Sequence, residues 1–132
     1  MKRYLEDRIS DDLHRKMVVL TGPRQVGKTY LARQVAARFS RPCYLNYDSL
    51  ADAAVINRQS WPADTDLLLL DEIHKMAGWK SFLKGVYDTR PAVCSLLVTG
   101  SARMDTFRQR ASCGRWYVYV NGGGHPSLKF EI

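Results

Sequence analysis

Apolar residues along the chain fall into two alternating patterns: compact runs that predict strands, and three- or four-residue spacings that predict helices. The compact runs are residues 17–22 (MVVLTG), 43–48 (CYLNYD), 67–71 (LLLLD), 95–100 (SLLVTG) and 116–120 (WYVYV). The leucine run is apolar at every position before its acid, which is typical of a strand buried on both faces of a parallel sheet.

Helical spacing appears before and between these runs. It falls at Leu5, Ile9 and Leu13, at Leu31, Val35 and Phe39, and at Trp79, Phe82, Leu83, Val86 and Tyr87. A shorter helix is predicted over residues 50–57, and Pro42 and Pro91 stop the second and the last helix because proline cannot continue one. Strands and helices therefore alternate, which predicts an α/β fold with a mainly parallel central sheet of about five strands.

Composition narrows the class of protein. A chain of 132 residues with 45% hydrophobic and 25% charged residues has the length and composition of one globular domain. Twenty Lys and Arg against thirteen Asp and Glu give a net charge of +7, which favours anionic partners such as nucleotides, nucleic acid or an acidic protein surface. Three scattered cysteines fit reduced thiols better than disulfides or a zinc site. We see no signal peptide and no run long enough to span a bilayer, so we expect a cytoplasmic protein without a membrane partner.

The segment TGPRQVGKT lies between the first predicted strand and the next helix, and it contains G-x-x-x-x-G-K-[ST]. In that context the glycines let backbone N–H groups face phosphate oxygens, and the helix N-terminus adds a positive end. Lys28 is predicted to reach the β- and γ-phosphates, and Thr29 to offer a hydroxyl to Mg²⁺. Arg24 and Gln25 lie inside the loop, either against nucleotide or facing solvent. The predicted nucleotide-binding residues are Gly22, Pro23, Arg24, Gln25, Val26, Gly27, Lys28, Thr29 and Tyr30.

Two adjacent acids end the leucine strand. Asp71 is placed where an acid can hold Mg²⁺, and Glu72 where a carboxylate can accept a proton from an attacking water. The alternative is that both acids merely mark the strand's exit into solvent. Because a phosphotransferase has less need for a water-activating base, the pair favours ATP hydrolysis.

Hydroxyl residues follow the next apolar strand, where SLLVTGS places Thr99 and Ser101. The carboxyl ends of parallel strands share one edge, where ligands bind. Thr99 could there contact the γ-phosphate or the attacking water, although a Thr-Gly-Ser turn that satisfies backbone groups is an almost equal alternative.

Taken together, TGPRQVGKT, YLNYD, LLLLDEIHK with GWKSFLKGVYD, and LLVTGSAR resemble prokaryotic AAA-type P-loop ATPases that usually carry a C-terminal domain of uncharacterised function. The resemblance covers about residues 3–108. It implies a P-loop NTPase three-layer sandwich with an additional strand between the two motif strands. It also implies ATP and Mg²⁺ as cofactors, with Lys28 and Thr29 in the Walker A role, Asp71 and Glu72 in Walker B, and Thr99 in sensor 1.

The end of the chain departs from that family. Residues 109–132 keep a Gly-Arg pair and aromatic residues, but their spacing is disturbed. We expect that the second domain of the family is absent. We therefore expect one AAA-type ATP-binding domain over residues 1–132, truncated relative to the family, with 109–132 as a divergent, poorly ordered tail. Truncation is expected to affect turnover and partner recognition more than the fold.

Other functions remain as alternatives. DEIH matches the helicase pattern DExH, but a helicase needs two lobes, and His74 is interpreted as a surface residue. A nucleotide-dependent switch that binds nucleic acid is the other alternative, through Arg103, Arg108, Arg110 and Arg115 with Trp116, Tyr117 and Tyr119. A kinase is disfavoured by Glu72, and a GTPase by the lack of Asn-Lys-x-Asp. A homo-oligomer, with Arg103 or Arg115 acting on a neighbour's γ-phosphate, and an unknown protein partner stay open.

Overall fold

The computed structural model describes residues 2–21, 26–100, 116–120 and 128–131, which form one sheet with helices on both faces. The helices are α1 (Lys2–Leu13), α2 (Val26–Ala36), α3 (Leu50–Arg58) and α4 (Trp79–Thr89), with a 3₁₀ turn at Ile73–Lys75. The strands are β1 (Met17–Thr21), β2 (Pro42–Asn46), β3 (Leu67–Asp71), β4 (Ser95–Thr99), β5 (Trp116–Val120) and β6 (Leu128–Glu131).

The described strands make a six-stranded sheet in the order β2-β3-β4-β1-β5-β6. The first five are parallel, which confirms the mainly parallel sheet, and β4 lies between β1 and β3, as the resemblance implied. The prediction of about five strands missed β6, which pairs antiparallel with β5. Its alternation of apolar and charged residues, LKFE, covers only four positions, which is too short to stand out in the sequence.

Two apolar clusters, one on each face of the sheet, hold the layers together. On one face Leu67 and Leu69 pack with residues of α1 and α2, and on the other Leu68 and Leu70 pack with residues of α3 and α4. These four leucines are at most 1% exposed. The predicted burial of β3 on both faces is therefore confirmed, and the fold is a three-layer α/β sandwich.

Two element boundaries differ from the sequence prediction. Helix α2 ends at Ala36, so Phe39 lies beyond it, although Phe39 still packs against the α1–α2 cluster. Pro42 does not end the helix but begins β2, an edge strand of the described sheet. Proline is tolerated there because the first residue of an edge strand need not donate a ladder hydrogen bond.

The parallel register brings three strand ends to the same edge. Leu20 of β1 pairs with Thr99 of β4, and Leu70 of β3 pairs with Val98. The Gly100 amide also donates a hydrogen bond to the carbonyl oxygen of Leu20 at 3.1 Å. Asp71 and Thr99 therefore lie level at the carboxyl edge, next to the start of α2. Within the described ranges, every helix is too short or too polar to cross a membrane.

Candidate functional site

Lys28 is a buried lysine in the first turn of α2. It is 4% exposed, and its ammonium group donates a hydrogen bond to the carbonyl oxygen of Gly100, just past the end of β4. A buried ammonium group is costly unless it has polar partners. The contact therefore holds a positive charge against the carboxyl edge of the sheet, where parallel α/β folds bind ligands.

Asp71 is a buried acid at the centre of a cluster of hydroxyl groups. The residue is 2% exposed, and its Oδ2 accepts hydrogen bonds from Thr29 Oγ1 at 3.2 Å and from the Tyr44 hydroxyl at 2.6 Å. Its Oδ1 accepts a hydrogen bond from Thr99 Oγ1. Hydrogen bonds to a charged acceptor are stronger than neutral ones, so they offset the cost of burying the carboxylate. The cluster joins α2, β2, β3 and β4 at one point.

Tyr44 was not predicted as a site residue, because it lies inside an apolar strand and its segment, YLNYD, contributed only to the family resemblance. Its ring packs against the α1–α2 cluster, and the Arg33 guanidinium carbon lies 4.5 Å from the ring centroid, in cation–π range. Asn46 Nδ2 donates to the Tyr44 hydroxyl at 3.4 Å. Burial, reinforced by the hydrogen bond to Asp71, raises the pKa of Tyr44 to about 12, so the phenol keeps the proton that it donates.

Glu72 has a different environment from the acid before it. Its backbone is left-handed, with φ 58° and ψ 32°, and its amide donates a hydrogen bond to Thr99 Oγ1 at 3.2 Å. The turn directs its Oε1 to within 3.8 Å of both His74 Nε2 and Lys75 Nζ. Lys75 in turn pairs with Asp48 at 2.6 Å. Adjacent acids in the sequence therefore become one carboxylate among hydroxyl groups and one beside the Lys75 ammonium and the His74 imidazole.

His74 is less exposed than the sequence interpretation allowed. Its side chain is 16% exposed rather than on the open surface, because the 3₁₀ turn folds it back towards Glu72. Burial lowers the pKa of His74, and the positive charges of Lys75 and Lys28 act in the same direction. The opposing charges of Glu72 and Asp48 do not reverse that shift.

The remaining predicted site residues are placed as follows. Gly27 and Tyr30 lie on α2, where Tyr30 is 49% exposed, and Val26 is the first residue of that helix. The loop residues Gly22, Pro23, Arg24 and Gln25, together with Ser101, Arg103, Arg108, Arg110 and Arg115, lie outside the described residues. Trp116, Tyr117 and Tyr119 lie on β5.

The donors around Asp71 suit a hard cation. Magnesium prefers oxygen ligands and usually takes one or two from the protein, the others coming from water and phosphate. A carboxylate and a threonine hydroxyl joined at 3.2 Å provide such a pair. Within the described ranges, no three His, Cys, Asp or Glu side chains gather into a metal site, so the pair at Asp71 would need water and phosphate as further ligands.

One family of known proteins matches the chain over most of its length. A family model described as an AAA domain matches residues 14–120, which include every described element of the candidate site. A search of curated proteins gave no match. Among solved structures, Bacteroides Pif1 bound to ssDNA is 11% identical with a TM-score of 0.47, and the match covers 89% of this chain but 40% of that one.

The family match spans most of the chain, from the end of α1 through β5. It falls on a parallel α/β sheet in which a buried lysine, a threonine hydroxyl and a buried acid meet at the carboxyl edge. The chain therefore belongs to the AAA domain family and is a nucleotide-binding P-loop NTPase domain.

Proposed function

We propose that this domain binds Mg-ATP at the carboxyl edge of its sheet and hydrolyses it to ADP and phosphate. The observation that carries the proposal is the 3.2 Å hydrogen bond from Thr29 Oγ1 to Asp71 Oδ2. It joins the residue that ends the sequence GPRQVGKT to the buried acid that ends LLLLD. These are the two positions at which a P-loop enzyme needs its metal-binding oxygens.

Lys28 and the start of α2 bind the phosphates in this proposal. The Lys28 ammonium exchanges the Gly100 carbonyl for phosphate oxygens, and the amide groups at the N-terminus of α2 add their partial positive charge. Thr29 and Asp71 would hold Mg²⁺, which would neutralise part of the negative charge of the phosphates.

Glu72 takes a proton from the attacking water while the water oxygen bonds to the γ-phosphorus. The bond between that phosphorus and the β–γ bridging oxygen breaks, which releases ADP and inorganic phosphate. The carboxylate follows Asp71 directly and is partly buried, with 18% of its side chain exposed. Its Oε1 lies 3.8 Å from both Lys75 Nζ and His74 Nε2, which is longer than a hydrogen bond, so turning towards a water breaks no hydrogen bond to either group. Thr99 lies beside it and accepts a hydrogen bond from its amide.

A pair of substitutions tests the two halves of the proposal. Lys28→Ala should weaken ATP binding beyond detection, because the charge that meets the phosphates is lost. Glu72→Gln should leave ATP affinity within about twofold but lower turnover by about 10²-fold or more, the usual contribution of a general base. Calorimetric titration gives the affinities, and phosphate release gives the rates.

Two matched substitutions are the controls. Lys84→Ala on α4 and Glu6→Gln on α1 make the same chemical changes in elements that do not contribute to the site. Unchanged ATP affinity in Lys28→Ala would refute the binding site. Equal phosphate release by wild type and Glu72→Gln would show that another group is the base, and a wild type that binds ATP without releasing phosphate would refute hydrolysis.

A further inference from the structure

We infer that Tyr44 is a positioning residue for Asp71, and that its hydroxyl sets the affinity of the nucleotide-bound domain for Mg²⁺. The inference rests on the proposed function, because it assigns a task within the same site. The inference goes beyond the proposed function because Tyr44 lies on β2 and belongs neither to the phosphate loop nor to the acids that end β3.

The contact is made at the oxygen that matters for metal binding. The Tyr44 hydroxyl donates to Asp71 Oδ2 at 2.6 Å, and the same oxygen accepts the hydrogen bond from Thr29 at 3.2 Å. Thr29 and Thr99 both lie where nucleotide or metal would compete for their hydroxyls. Tyr44 projects from β2, so its hydrogen bond can persist when nucleotide is bound, and it then fixes the direction in which the carboxylate faces.

The phenol is itself held in place from two sides. The Arg33 guanidinium carbon lies 4.5 Å from the ring centroid, and the ring packs against the α1–α2 cluster. Asn46 donates an N–H to the phenol oxygen at 3.4 Å, which leaves the phenol proton for Asp71. The β2–β3 register, with Tyr44 opposite Leu69 and Asn46 opposite Asp71, sets how far along the strand the side chain must reach.

Partners that orient a metal-binding side chain typically contribute 10- to 100-fold to metal affinity. Tyr44→Phe keeps the ring and removes only the hydroxyl. We therefore expect the variant to need about tenfold more divalent cation to saturate the nucleotide-bound domain. Affinity for nucleotide without metal should stay within about twofold, because Lys28 and the phosphate loop are unchanged.

The experiment uses the full chain with a non-hydrolysable ATP analogue and Mn²⁺ in place of Mg²⁺. Electron paramagnetic resonance measures free Mn²⁺ directly, so the readout does not depend on turnover. Tyr47→Phe is the matched control: Tyr47 packs on the opposite face, and its contact with Asp71 is made by its backbone amide, which phenylalanine keeps. That variant should bind Mn²⁺ like wild type.

Each outcome decides the inference. Wild-type affinity for Mn²⁺ in Tyr44→Phe would overturn the inference. So would an equal loss of nucleotide affinity with and without metal, because it would show that the substitution disrupts the whole nucleotide site. If Tyr44→Phe does not fold, Arg33→Leu removes the support from the ring and should raise the Mn²⁺ requirement two- to threefold; no change overturns the inference. A wild type without metal-dependent nucleotide binding would instead refute the proposed function.

Discussion

Asp71 and Glu72 are neighbours in sequence but are in different surroundings in the fold. Asp71 ends β3 with its carboxylate fixed among three hydroxyl groups. Glu72 enters the left-handed region, which is uncommon for a residue with a side chain, and its carboxylate faces Lys75 and His74. One backbone turn therefore separates a carboxylate suited to hold a cation from one suited to accept a proton.

His74 makes a testable contribution to the pH dependence of stability. Its pKa is lowered in the folded protein, chiefly by burial, from an ordinary value of 6.5. Below pH 6.5 the unfolded chain binds a proton at His74 more readily than the folded protein does. The contribution of His74 to the free energy of unfolding is therefore complete above pH 6.5 and is lost as the pH falls. In His74→Gln we expect the free energy of unfolding to fall less between pH 7.5 and pH 5.5 than in wild type. Urea denaturation at both pH values measures it, and an equal or larger fall would contradict the assignment.

At the residue scale, the sequence predicted groups whose chemistry depends on a local motif. Lys28 and Thr29 follow a glycine turn, and Asp71 ends an apolar run, so each can be identified from its neighbours. Tyr44 and Arg33 could not be identified in this way, because their positions matter only once β2 lies beside β3 and α2 covers both. The partial burial of His74 was missed because it depends on the 3₁₀ turn.

Helix α3 shows how the ends of an element are set by single residues. Ser49 caps its start, where its Oγ accepts a hydrogen bond from the Asp52 amide at 3.3 Å. Gln59 ends it in the left-handed conformation with φ 53° and ψ 41°. Glycine is the residue usually found there, because it adopts positive φ without a steric penalty.

Gln59→Gly should therefore stabilise the protein by about 0.5–1 kcal/mol, since Gln59 is exposed and its side chain is not needed for packing. Gln34→Gly, the same substitution inside the right-handed α2, should destabilise it by about 0.5–1 kcal/mol. Chemical denaturation measures both values. The same sign for the two variants would contradict the explanation from backbone conformation.

Across the described part of the molecule, strand β3 is covered on both faces, and the site lies at the carboxyl end of the sheet. Leu69 faces the α1–α2 cluster, and Leu70 faces the α3–α4 cluster. Neither side of β3 is therefore a solvent face, and successive residues along the strand should be equally sensitive to truncation.

We expect Leu69→Ala and Leu70→Ala each to lower the free energy of unfolding by about 2–5 kcal/mol, the usual cost of a large-to-small change in a packed core. Leu50→Ala, at a position that is 90% exposed, should change it by less than about 0.5 kcal/mol. Urea denaturation of the three variants measures this. A small effect at either core position would mean that one layer is loosely packed.

Hydrophobic patterning predicted the class of fold and most of its elements, because a doubly buried strand and an amphipathic helix each leave a clear local signal. The order of strands has no such signal: that β4 separates β1 from β3 came from the family resemblance, not from spacing. Strand β6 was missed because an alternation over four residues is too weak a pattern. The end of α2 was missed because the helix stops before the proline that was expected to end it.

The Thr99 hydroxyl carries a single proton, and in this structure it is donated to Asp71 while the lone pairs receive the Glu72 amide. If Thr99 instead donates its proton to a terminal phosphate, as the family resemblance predicts, Asp71 must lose that donor in the same step. One proton is then shared between two acceptors. When phosphate departs, the Thr99 O–H bond would turn back towards Asp71. The carboxylate that holds the metal would thereby regain a hydrogen bond, and the backbone would not need to move.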